Sequence, residues 1–117
     1  KRYYKNLKSN NNIILQDLQK PYAQNIFWVF GIILKKNYKL RRDFITKKLL
    51  LNNIQTRNFF YPMHKQKIFL QKKIFSKKIS MPVAEYLSKN GFYLPSGLGI
   101  TNKEIDIVSK KINEIII

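Results

Sequence analysis

The sequence predicts a mixed α/β unit, a small α+β domain in which a short sheet is covered by helices. Three observations carry that prediction. Helix-period stretches alternate along the chain with short β-branched and aromatic runs. The last stretch opens on a full set of helix-start signals: Thr101, Glu104 three residues on, and Ile100 and Ile105 on either side of the cap. The hydrophobic fraction of 44%, with 14% aromatic, is too high for a disordered polycation and suits one modest core in 117 residues.

Residues 1–9 read as the end of a basic helix, and Ser9 to Asn12 as the loop that stops it. Residues 13–24 are mixed, and Pro21 argues against a regular element there. Asn25 to Leu34 (NIFWVFGIIL) is short, aromatic and β-branched between polar flanks, which predicts a buried strand with Trp28 and Phe30 on one face and Phe27 and Val29 on the other. Gly31 in its interior marks a bulge or a close backbone approach. Lys39 to Asn53 predicts a helix: Leu40 and Phe44, then Ile45 and Leu49, repeat at i, i+4, while Arg41, Arg42, Lys47 and Lys48 take the wet side. Asn52-Asn53 supplies a left-handed stop.

Ile54 to Tyr61 predicts a second strand, ended by Pro62, which has no N–H for a ladder. Lys65 to Ser80 reads as a loose connection with six lysines. Ser80 is placed to cap a short helix with Pro82 in its first turn, Val83, Ala84 and Leu87 facing inward and Gly91 as its C′ residue. Phe92 to Leu94 is a short strand. The closing helix then buries Ile105, Val108, Ile112 and Ile115 or Ile116.

The formal net charge of +17 invites a nucleic-acid reading, which the composition weakens. Lysine, asparagine and isoleucine number 19, 12 and 17, all types with A/T-rich codons, and lysine outnumbers arginine 19 to 4. A surface built to read phosphates recruits arginine for its bidentate fork. A basic nucleic-acid-binding module therefore stands as an alternative and not as the main reading. The absence of cysteine excludes a disulfide framework and a thiolate metal site or nucleophile. One histidine and six scattered carboxylates give no ligand spacing for a metal and no catalytic triad. No stretch reaches the roughly 18 apolar residues a membrane helix needs, so no membrane partner is expected. The chain begins on Lys1 as though inside a helix and is read as a C-terminal piece of a longer protein.

The densest chemistry lies at the end of the second predicted strand, where Arg57, Phe59, Phe60, Tyr61, Pro62, Met63 and His64 gather a planar cation, three rings and an imidazole. Arginine among aromatics suits an anionic, ring-bearing ligand. Residue types leave open a blander reading, in which Phe59 and Phe60 are core, Arg57 is solvated and His64 is an ordinary loop residue. The Leu94 to Gly99 stretch has two glycines but lacks the closing Gly-Lys-Ser/Thr of a phosphate loop.

Three stretches in order, Asn25 to Ile32, Asn53 to Gln66 (NIQTRNFFYPMHKQ) and Pro82-Val-Ala-Glu85 through Gly91 to Gly97 (GFYLPSG), followed by Ile100-Thr101 and a closing helix, resemble the C-terminal part of the DegT/DnrJ/EryC1/StrS sugar aminotransferases. The perosamine-synthase-like members are most similar. The resemblance implies the C-terminal domain of a fold-type I enzyme that uses pyridoxal phosphate, with residues 1–12 ending an interdomain helix and its loop and residues 13–117 forming the small domain. It implies transfer of an amino group, usually from L-glutamate, to a nucleotide-linked 4-keto-6-deoxysugar for surface-polysaccharide or amino-sugar biosynthesis. A cytoplasmic homodimer follows, with active sites at the subunit interface. The Schiff-base lysine and the cofactor's phosphate loop would belong to the large domain of the same enzyme, so no catalytic or cofactor-binding residue falls in this chain, and this piece alone would be inactive. Mapped onto the matching positions, Arg57, Phe60, Tyr61 and His64 form the wall near the nucleotide sugar, with Trp28 and Asn25 as weaker candidates. The lysine-rich 65–80 stretch departs from the family, where a short connection is usual. A non-catalytic relative of these enzymes is the remaining alternative.

Overall fold

The computed structural model describes residues 1–117. In chain order they form α1 (Arg2–Leu7), β1 (Ile13–Leu15), β2 (Gln19–Lys20), β3 (Ala23–Gln24), β4 (Phe30–Leu34), α2 (Arg42–Leu51), β5 (Arg57–Asn58), a 3₁₀ turn at Met63–Lys65, α3 (Lys67–Gln71), α4 (Pro82–Asn90), β6 (Gly91–Leu94) and α5 (Asn102–Ile115). Strands β1, β4, β6 and β5 lie side by side in that order, antiparallel throughout, and β2 and β3 make a separate two-stranded hairpin. The expected small sheet covered by helices is the observed architecture.

Alternation along the two central strands sends Phe30, Ile32, Leu34, Phe92 and Leu94 to one face, where they meet Tyr3, Leu7, Ile45, Leu49, Val108, Ile112 and Ile116 from the helices. Burying each large apolar side chain contributes roughly 1.5–3 kcal/mol, so this one cluster dominates the packing. The closing helix starts as its sequence requires: Thr101 Oγ1 accepts the Glu104 N–H at 3.2 Å, and Glu104 Oε2 accepts the Thr101 N–H at 2.7 Å. Helix α1 belongs to the same core. Tyr3 stacks on Phe30 with ring centroids 4.9 Å apart, Arg2 clamps Asp106 of α5 with two bonds of 2.7 and 2.6 Å, and Asn6 donates to the same carboxylate at 2.8 Å. Helix α1 thus packs on α5 and β4.

Several elements differ from expectation for local reasons. The strand expected from Asn25 begins only at Phe30, because Asn25 Oδ1 accepts the Phe27 N–H at 2.7 Å and Phe27 sits at φ 52°, a turn that interrupts the extended run. Residues 13–24 are more regular than expected, with Pro21 and Tyr22 at the turn between β2 and β3, where a missing N–H is harmless. The second strand is two residues long, bounded upstream by Asn53 at φ 59°. The lysine-rich stretch contains α3. Helix α2 starts at Arg42, with Phe44 half exposed under Lys48 and Ile45 and Leu49 buried. Helix α4 is capped at Met81, one residue after Ser80, and Val83 faces solvent. Gly91 ends α4 at φ −94°, outside the left-handed region, and leads directly into β6.

Candidate functional site

The outer face of the sheet is shaped by two absent side chains. Gly31 of β4 and Gly91 of β6 stand on that face, beside Tyr93. The Phe59 ring lies across both: a Cβ on Gly31 would sit 2.8 Å from it, and a Cβ on Gly91 would strike the ring and stand 2.7 Å from the Leu87 carbonyl oxygen. Phe59 also stacks on Tyr93 at 4.5 Å, and its N–H donates to the Gly91 carbonyl at 3.2 Å. Glycine is therefore needed at both positions for close approach. This seat fixes the edge segment 57–61 on the sheet, with an open cleft on either side.

The first cleft, about 500 Å³, is lined by Trp28, Val29, Gln55, Arg57, Tyr93 and the Leu94 to Gly97 turn. Arg57 and Tyr93 are register partners across β5 and β6. The other three arginines pair with aspartates: Arg2 with Asp106, Arg41 and Arg42 with Asp43. Arg57 has no carboxylate partner. Trp28, 74% exposed, is turned outward by the Asn25 turn while Phe27 turns inward to stack on Phe30 at 6.0 Å. An unpaired guanidinium among an exposed indole, a phenol and an amide can take an anion that carries a planar or ring-shaped group.

The second cleft, about 640 Å³, is more polar and holds Arg42, Asn58, Tyr61, Lys65, Ser88 and Lys89, floored by Phe59, Pro62 and Glu85. Arg42 reaches the Ser88 carbonyl at 2.5 Å, tying α2 to α4. Glu85 accepts from Lys65 Nζ at 2.6 Å, and its other oxygen meets His64 Nε2 at 3.0 Å and the Met81 N–H at 3.2 Å. Lys65 first, then His64 and that backbone N–H, hold the Glu85 carboxyl at about 2.

The six residues singled out in the sequence are thus distributed. Arg57 and Trp28 share the first cleft, and Tyr61 lines the second. Phe60 is 74% exposed on the ridge between, its ring 6.1 Å from Tyr93. His64 is 3% exposed and turned inward onto Glu85, so it lines neither cleft. Asn25 also lies off the clefts; its Nδ2 donates to the Asp17 carbonyl at 3.1 Å and its Oδ1 holds the turn that presents Trp28. Sequence reasoning missed Tyr93, Gln55, Ser96 and Glu85. The signal for Tyr93 was present in Gly31 and Gly91, which two short strands have no reason to carry unless something large crosses them. The chain brings together no group of three His, Asp or Glu side chains able to hold a metal, and no helix is long and apolar enough to cross a membrane.

The sequence model of the DegT/DnrJ/EryC1/StrS aminotransferase family matches residues 1–113. The GDP-perosamine synthase of Vibrio cholerae is 29% identical over 79 residues, 68% of this chain and 21% of the relative. That of Caulobacter vibrioides is 27% identical over 102 residues, 84% of this chain and 26% of the relative. The solved E. coli GDP-4-keto-6-deoxy-D-mannose-3-dehydratase with bound hydrated PLP superposes over 95% of this chain and 28% of its own, with a TM-score of 0.79 at 20% identity. The chain spans about a quarter of the length of the proteins it matches.

Proposed function

The chain belongs to the DegT/DnrJ/EryC1/StrS aminotransferase family, and on that premise we propose that it is the C-terminal part of an enzyme transferring an amino group to a nucleotide-linked 4-keto-6-deoxysugar. The observation that carries the reading is the family match over residues 1–113, in line with relatives named GDP-perosamine synthase. The fold alone does not choose the reaction, since a dehydratase shares it. The amino donor in this reading is L-glutamate. The assembly is a cytoplasmic homodimer, and its product enters surface-polysaccharide or amino-sugar biosynthesis.

Pyridoxal phosphate is the family's cofactor, and when bound it serves as the electron sink for amino transfer. The residues present here do not by themselves fit it. Eighteen of the 19 lysines are exposed, and the other, Lys111, is half-buried beside Glu114. In this reading the cofactor's lysine and phosphate cradle belong to the large domain. This chain's own task is to bind and orient the sugar nucleotide.

In this reading Arg57 holds an anionic group of the nucleotide sugar while Trp28 and Phe60 pack on its rings. Tyr61 supplies a hydroxyl from the adjoining cleft. His64 and Asn25 act behind the wall, the first through Glu85 and the second by presenting Trp28. The clefts' openness supports a shared wall to be completed by the large domain, and so do the exposed Ile26, Trp28, Phe60 and Met63 around them. Replacing Arg57 by Ala in the complete enzyme is expected to raise KM for the nucleotide sugar with kcat little changed, the mark of lost uniform binding. An unchanged KM would remove Arg57 from the site.

A further inference from the structure

We infer that Glu85 is a positioning residue that clasps both ends of the lysine-rich excursion 66–80 and so holds the Phe59–His64 wall in place independently of that excursion. The excursion leaves the fold at Lys65 and returns at Met81, and one carboxylate takes both ends: Lys65 Nζ at 2.6 Å on one oxygen, the Met81 N–H at 3.2 Å on the other. The second oxygen also receives His64 Nε2 at 3.0 Å, and His64 is one of only two buried polar side chains in the chain. A buried imidazole without a partner is costly, so this bond specifies where the 3₁₀ turn sits.

Glu85 is itself well founded. It lies in α4, which Tyr86 ties to the sheet through its hydroxyl bond to the Leu34 carbonyl at 2.7 Å. Beyond the Phe59 seat and the buried Pro62, the wall has few other ties on this side: Phe60, Tyr61 and Met63 are exposed, and the Gln66 amide reaches the Tyr61 carbonyl only at 3.3 Å. The excursion between the clasped ends is mostly exposed and held by the Phe69–Phe75 edge contact at 5.9 Å and local turns. It is too loosely packed to position anything, and the clasp makes its length and composition unimportant to the clefts.

The consequence for catalysis rests on the sugar-aminotransferase reading; the structural clasp does not. The test uses the complete gene product that carries this chain. Glu85→Gln removes the charge and the oxygen that hold Lys65 Nζ and leaves a single amide oxygen for the Met81 N–H and His64, so trypsin cleavage after Lys65 of the native protein should accelerate about tenfold, because cleavage of a folded chain follows local opening. With a GDP-linked 4-keto-6-deoxyhexose and L-glutamate as probes, the same variant should raise KM for the sugar nucleotide about tenfold with kcat within about twofold, a split that general destabilisation does not produce. Replacing residues 67–79 by a short Gly/Ser linker should leave both readouts as in the wild type. If Glu85→Gln does not accumulate, Glu85→Asp, one carbon shorter with its charge kept, is read the same way. Wild-type values for Lys65 cleavage and KM in the Glu85 variants overturn the inference, and so does a raised KM in the linker variant. If the wild type turns over no nucleotide sugar, the aminotransferase reading fails while the cleavage rate still decides the clasp.

Discussion

Replacing Gly91 by Ala tests the seat on which the edge segment rests. The backbone there, at φ −94° and ψ 147°, suits alanine, so no conformational strain enters. The added methyl would stand 2.7 Å from the Leu87 carbonyl oxygen and fall on the Phe59 ring, so either the end of α4 or the ring must move. The Leu87 oxygen accepts the bond from the Gly91 N–H that closes α4, so retreat of the helix end also weakens that bond. Overpacking of this kind costs about 1–3 kcal/mol, against which the lost freedom of the unfolded glycine returns about 0.4–1 kcal/mol. The net expectation is a destabilisation of about 1–2 kcal/mol, and at a urea slope of about 1–3 kcal/mol/M the unfolding midpoint should fall by roughly 0.3–2 M. Gly99→Ala, where an added methyl meets nothing within 4 Å, is the control and should leave the midpoint unchanged or slightly higher. In a Phe59→Ala background the cost of Gly91→Ala should shrink, because one of its two obstacles is gone. A Gly91→Ala midpoint equal to the wild type would refute the claim that these glycines seat the Phe59 ring.

Thr101→Ala removes the cap of α5 and should cost about 1 kcal/mol, seen as a lower urea midpoint; no shift would mean the helix end is held by packing alone. Acid should destabilise the fold in a defined window. Glu85 is held at about 2 against an ordinary 4.5 and Asp106 at about 2 against 3.8, so both stabilise fully above about pH 4.5 and lose that contribution as pH falls toward 2. Midpoints measured across that range should fall in the wild type and flatten in Glu85→Gln and Asp106→Asn; parallel slopes would contradict it. The +17 charge predicts weak, non-saturating polyanion association that disappears with moderate salt. A saturable DNA or RNA complex with a linear log–log salt dependence would revive the nucleic-acid alternative.

The helices and the sheet's central strands were legible because their signals are local and redundant. The Thr101–Glu104 box, the Ile105, Val108, Ile112 series and the Phe30–Leu34 run each state one structure twice. The edge was less legible. Eight residues from Ile54 read as a strand, yet only Arg57 and Asn58 pair with β6, since edge pairing depends on a partner strand over thirty residues away. The site shared that difficulty. Arg57 and Trp28, singled out by residue type, line one cleft, while Tyr93 and Glu85 reach the clefts through contacts that cross the sheet or close a long excursion. His64 was recognisable as chemistry and not as burial: its partner lies 21 residues on, at a spacing no local pattern marks. The turn at Asn25 was overlooked because its β-branched and aromatic neighbours, Ile26 to Val29, outweighed a single side-chain-to-backbone bond.

Whether this chain completes a sugar aminotransferase is read most directly from the visible spectrum of the complete gene product. A coloured protein is expected, whose visible band borohydride abolishes while fixing the cofactor covalently to the chain, and whose band L-glutamate bleaches and a nucleotide-linked 4-keto-6-deoxysugar restores. A colourless protein that takes up no added pyridoxal phosphate would contradict it and leave a non-catalytic relative of the family.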